Sequence, residues 1–126
     1  MSLQHHKGLT LARWQQLSFC EQMANVGSEV HRAISWRSKN LEYSQLAFER
    51  ALELLDLSLA AASAHAPRLK ELARVREALA DYFVFDNDYG SSDVLWQKWF
   101  DAFALAGRGR RARASLDNIQ SDKADP

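Results

Sequence analysis

The chain has 126 residues, 47% of them apolar and 25% charged, with a formal net charge of zero. That length supports one core rather than two, and the neutral balance excludes a global field drawing the molecule to nucleic acid or a membrane. The lone cysteine, Cys20, excludes an internal disulfide and suits a reducing compartment.

The opening residues MSLQHHKGLT lack an apolar h-region, and no apolar run approaches the roughly 18 residues of a membrane span. The expected location is therefore cytoplasmic. Prolines, glycines and β-branched residues are scarce, while Leu, Ala, Glu, Arg and Gln dominate. No sustained period-2 run is present, so the expected fold class is all-α. Residues 1–13 read as a flexible N-terminal arm, 14–107 as a helical bundle and 108–126 as a basic, disordered tail.

The first helix is expected to begin at Ser18, where Ser18 and Glu21 form a capping box, and to end near Lys39–Asn40. Phe19, Met23, Val26, Val30, Ala33 and Ile34 make its apolar stripe. Gly27 and Ala24 beside that stripe leave room for another helix to approach closely. Trp36 lies on the opposite face. The second helix is expected over Leu41–Ala64, with one stripe of Leu41, Phe48, Leu52, Leu55 and Leu59. Another stripe, of Tyr43, Leu46, Ala47, Leu54 and Leu57, implies that this helix is covered twice. Pro67 opens a third helix running to Phe85, and a fourth is expected over Ser92–Ala106. Four amphipathic helices with short connections predict a single antiparallel, up-down-up-down four-helix bundle.

Between the third and fourth helices lies DNDYGSSD, Asp86–Asp93, an acid-rich segment with the oxygen donors that calcium favours. The EF-hand spacing fails twice, because Gly90 stands at position five and Gln97 at position twelve. Asn87 and Gly90 instead suit positive φ, and Ser91 or Ser92 suits an N-cap. The segment reads as a turn followed by a cap.

On the second helix, Glu42, Glu49, Glu53 and Asp56 share a sector about 60° wide. Such a ridge attracts cations. Arg37 or Arg76 could supply one as a guanidinium. Magnesium is the other source, since ELLD at Glu53–Asp56 matches half of the motif of all-α nucleoside-triphosphate pyrophosphohydrolases. That enzyme reading, using Glu49, Glu53 and Asp56, lacks the partner ExxE. Cys20 reads as a small buried hydrophobe and His31 as a packed or exposed residue, and no catalytic residue, metal ligand or cofactor motif is assigned.

The fourth helix carries more apolar surface than one core needs. Leu95, Trp96, Trp99, Phe100, Ala102, Phe103 and Ala106 fall within about 160° of arc, against the roughly 100° that suffices. Trp36, Phe85, Trp96, Trp99, Phe100 and Phe103 are therefore expected to form an oligomer interface; a core rich in large rings is the alternative. After this helix, Arg108, Arg110, Arg111 and Arg113 fall in six residues. They read either as a solvated tail completing the helix dipole or as a phosphate-neutralising contact to RNA or DNA.

The segments EQMANVGSEVHRAISWRSK, YSQLAFERALELLDLSL and FDNDYGSSDVLWQKWFDAFALA resemble a family of small, uncharacterised bacterial cytosolic four-helix bundles. That family is similar in fold to the ribosomal-RNA intervening-sequence proteins and to the accessory proteins of diversity-generating retroelements. The resemblance implies a homo-oligomeric ring, a pentamer, without established catalysis, and it supplies no catalytic residues. The expectation is a non-enzymatic scaffold or assembly protein whose partner is itself, with nucleic acid as a second candidate partner.

Overall fold

The structure is a computed structural model that describes His6 and residues 8–106, and it is all-helical over that range. Five helices follow one another: α1 (Leu11–Gln15), α2 (Phe19–Trp36), α3 (Leu41–Ala61), α4 (Ala66–Val84) and α5, helical over 93–106. Among the described residues none is long and apolar enough to cross a membrane.

Local side chains set the helix starts. Ser18 Oγ accepts from the Glu21 N–H at 3.1 Å, and Glu21 Oε1 accepts from the Ser18 N–H at 3.2 Å, closing the expected capping box. Asn40, expected to end the first long helix, instead starts the next: its Oδ1 accepts from the Tyr43 N–H. His65 caps α4, so Pro67 stands one residue inside the helix start rather than at it. Ser92 Oγ accepts from the Leu95 N–H and caps α5.

Helix α1 is not legible in the sequence, and the arm boundary at residue 14 falls inside it. Five residues are too few to hold a helix by themselves. Burial of Trp14 (3% exposed) against α3 holds this one. The Trp14 indole N–H donates to Ser58 Oγ at 3.0 Å, and Gln22 Nε2 returns to the Trp14 carbonyl at 3.0 Å.

The core sits around α3, which packs against α1, α2 and α4. Met23, Val26, Val30 and Ala33 of α2 meet Ala47, Ala51, Leu54 and Leu55 of α3, and Leu72, Val75 and Leu79 of α4 complete the cluster. The two long helices α2 and α3 form an antiparallel hairpin: Ser44 Oγ donates to the Ala33 carbonyl at 2.6 Å near their turn, and Gln22 lies with Trp14 and Ser58 at the far end. Helix α5 lies on α2. A Cβ built on Gly27 would stand only 2.7 Å from Phe100 Cβ, so this position is a glycine because the two helices nearly touch. Edge-on packing of Phe19 against Phe103, 5.6 Å between centroids, extends that contact.

A candidate assembly surface at one end of the molecule

The C-terminal ends of α2 and α4 and the N-terminal ends of α3 and α5 come together at one end, and a polar network holds them there. Asp81, on the last turn of α4, is 8% exposed. Its carboxylate accepts the N–H groups of Asp88 and Tyr89, both at 3.0 Å, and its carbonyl accepts those of Phe85 and Asn87. The side-chain amide of Asn87 exchanges two hydrogen bonds with the Ser91 backbone, at 2.8 and 2.9 Å. Asn87 (φ 56°) and Gly90 (φ 66°) both adopt left-handed backbone, the conformation their short or absent side chains tolerate. DNDYGSSD thus turns the chain and caps α5.

Three elements meet at Arg37. Its guanidinium carbon lies 4.9 Å from the Tyr82 ring centroid and 4.7 Å from that of Phe83. Nη1 is 3.4 Å from Asp93 Oδ1 and 3.5 Å from the Tyr82 hydroxyl, while Nη2 is buried with no acceptor among the described residues. The Tyr82 hydroxyl donates to Asp93. Burial and this hydrogen bond to a carboxylate raise the Tyr82 pKa above the ordinary 10.0. The Tyr89 hydroxyl is raised as well, chiefly by its hydrogen bond to Glu77.

Around this network the surface is apolar. Ten large hydrophobic residues are exposed among the described ones, and eight of them lie at this end: Trp36, Leu41 and Tyr43 at the α2–α3 turn, and Val84, Phe85, Tyr89, Val94 and Leu95 around the α4–α5 turn. Leu41 and Phe85 stand 70% and 71% exposed. Trp36 and Tyr43 pack edge to face at 5.2 Å. Beside them a groove of about 550 Å³ runs between α3 and the end of α4, lined by Leu41, Phe48, Leu52, Phe83 and Val84 together with the polar Arg37, Ser44, Gln45 and Glu49.

The six aromatic residues expected at an interface divide. Trp36 and Phe85 stand on this surface. Trp96 (7% exposed) and Phe100 (4%) belong to the chain's own core, because the glycine at 27 lets α5 settle deeply on α2. Trp99 and Phe103 are half-buried against that core. Tyr43, Leu41 and Val84 join the surface although the sequence reading assigned none of them to it. Their signal was apolar residues at helix ends, where a stripe runs past the element that covers it.

The acidic ridge meets cations of the chain itself. Arg76 Nε donates to Asp56 at 2.7 Å, as one of the two expected guanidinium partners, whereas Arg37 turns to Asp93. His6 Nδ1 lies 2.7 Å from Glu53. Among the described residues no three His, Cys, Asp or Glu side chains gather as metal ligands. Cys20 is buried, and His31 is exposed beside Gly27 in a groove between α2 and α5. Arg108, Arg110, Arg111 and Arg113 lie outside the described residues. Compared with family models, with curated proteins and with solved structures, the chain finds no match.

Proposed function

We propose that this protein is a non-enzymatic assembly protein, an up-down-up-down bundle of α2–α5 that associates with copies of itself through the apolar end. One observation carries the reading: the exposed large hydrophobic residues are gathered at that end instead of scattered. Scattered apolar residues are ordinary on a monomer, but a concentrated patch rimmed by polar groups marks a contact surface. Aromatic side chains there, such as Trp36, Tyr43, Phe85 and Tyr89, are of the type enriched at interfaces. The resemblance to ring-forming bundles gives five as the expected number of subunits.

Native mass spectrometry of the untagged protein at low and high salt tests this. An apolar contact is not screened by ions, so a single oligomer mass is expected at both salts. A monomer at both overturns the reading. A nucleic-acid adduct lost at high salt would add phosphate binding by the Arg108–Arg113 cluster to the assembly role.

A further inference from the structure

We propose that the apolar end of one copy is covered by the same end of a second copy, so that in the assembly the ends gather at the symmetry axis. The inference rests on the assembly reading, which leaves open the face of the second copy that meets the end.

What covers this surface must itself be apolar, and the chain offers little apolar surface elsewhere. Of the ten exposed large hydrophobic residues among the described ones, only Leu11 and Leu105 stand away from the end, one on α1 and the other in the last turn of α5. Two side chains do not match a patch of eight. The groove between α3 and α4 is no separate partner, because its Leu41 and Val84 belong to the end itself. The sizes agree as well. The eight residues are 39% to 71% exposed, so with roughly 150–200 Å² for each when free of neighbours, about 700–900 Å² remains open on this end. A standard interface covers about 800 Å² on each partner, so one end suffices to cover another. A surface that pairs with itself closes on a symmetry axis instead of extending into a filament.

Besides the Arg37–Asp93 pair, the charges exposed on the two turns are Lys39 against Glu42, Asp86 and Asp88. Three acids to one base do not draw two such ends together. The attraction is therefore apolar, and rising salt is expected to leave it unchanged or tighten it. Helix α5 runs away from the contact: Asp93 lies by Arg37, Phe100 by Gly27 in the middle of α2, and Phe103 by Phe19 at its start. Residue 106 thus lies at the opposite pole, and the segment carrying Arg108, Arg110, Arg111 and Arg113 begins on the outside of the assembly.

Sedimentation velocity of a fluorescently labelled variant titrated with unlabelled wild type reads this geometry, with circular dichroism confirming helical content. Leu41→Arg/Phe85→Ser changes one exposed residue beside each turn, and Tyr43→Arg/Leu95→Arg is a second, independent pair. Either variant should bind wild type at least about 30-fold more weakly than wild type binds itself, the loss typical of an interface hot spot. Leu105→Arg, at the opposite pole, should enter wild-type assemblies unchanged. An end variant that no longer associates with itself yet enters wild-type assemblies at full affinity would set another face against the end. That result overturns this contact and leaves the assembly reading standing, as does association that falls steeply as salt rises. End variants that assemble like wild type, or a wild type monomeric at every concentration, overturn both.

Discussion

Replacing Gly27 with alanine sets helix propensity against close packing, and the two have opposite signs. In an unconstrained helix the change stabilises by about 1 kcal/mol. Here the new Cβ would meet Phe100 Cβ at 2.7 Å, Cγ at 3.0 Å and Cδ1 at 3.2 Å. Rotating the phenyl ring moves Cδ1 but not Cβ, which the backbone of α5 fixes. The helix itself must therefore retreat from α2, loosening Trp96, Phe100 and the Phe19–Phe103 contact together. Overpacking of this kind costs about 1–3 kcal/mol. Taking a middle cost of about 2 against a gain of about 1 leaves a net destabilisation of about 1 kcal/mol. With a urea slope of about 2 kcal/mol/M, the unfolding midpoint should fall by about 0.5 M. Urea melts followed by tryptophan fluorescence and by circular dichroism measure this, at several protein concentrations because association adds to apparent stability. A variant about 1 kcal/mol more stable than wild type would refute the argument. It would mean that α5 does not press on α2 at this point.

Four further outcomes follow from the polar contacts. Ser58→Ala leaves the buried Trp14 indole N–H without its acceptor and should cost about 1–3 kcal/mol in urea melts, with proteolysis of the α1 segment rising in parallel. Asp81→Asn keeps one acceptor oxygen of two, so hydrogen exchange at the Asp88 and Tyr89 amides should accelerate and stability should drop by about 1–3 kcal/mol. A double-mutant cycle on Asp56 and Arg76, both more than one third exposed, should return only about 0.2–1 kcal/mol of coupling, reduced by salt. The folded Tyr82 pKa lies above the unfolded one, so its contribution is fully present below pH 10.0 and is lost as pH rises through the folded value; Tyr82→Phe should flatten the alkaline fall in urea midpoint, leaving a remainder that includes the Tyr89 share.

What the sequence disclosed was local chemistry. Ser18 and Glu21 lie three apart, so their capping box is written in four residues, and Asn87 and Gly90 announce left-handed backbone by composition alone. The Arg76–Asp56 pair was legible because both residues project from helices at positions that periodicity places. Contacts that span the chain were not. Trp14 and Ser58 are 44 residues apart, and His6 and Glu53 are 47 apart, so neither can be read from any short window. The aromatic arc of α5 was real, but its width says only that more than one neighbour covers it. Which rings turn inward depends on how closely α2 comes, and that is set by the missing Cβ at residue 27 on a different helix. Core claims Trp96 and Phe100, while the exposed apolar residues flank the turn at 37–40, as Trp36, Leu41 and Tyr43 do, or lie in and beside the turn at 85–92, as Val84, Phe85, Tyr89, Val94 and Leu95 do.

That division between buried and exposed rings has a physical logic. A helix flank that packs laterally is covered by its neighbours along its length, so large rings there disappear into the core. Helix ends have no lateral neighbour beyond them, and apolar residues at Leu41, Val84, Phe85 and Leu95 stay wet unless another molecule arrives. Holding such residues on loose loops would add an ordering cost at every encounter. Here the turn before α5 is tied by the carboxylate of Asp81 and the reciprocal bonds of Asn87, and its far side is tied by Tyr82, Asp93 and Arg37. The acid-rich segment that looks like a cation site is thus a mount. Asn87 and Asp93 spend their side chains on the Ser91 backbone and on Tyr82 and Arg37, while the Asp88 and Tyr89 amides are taken by Asp81 of α4, and together these bonds hold Phe85 at the surface in a fixed position.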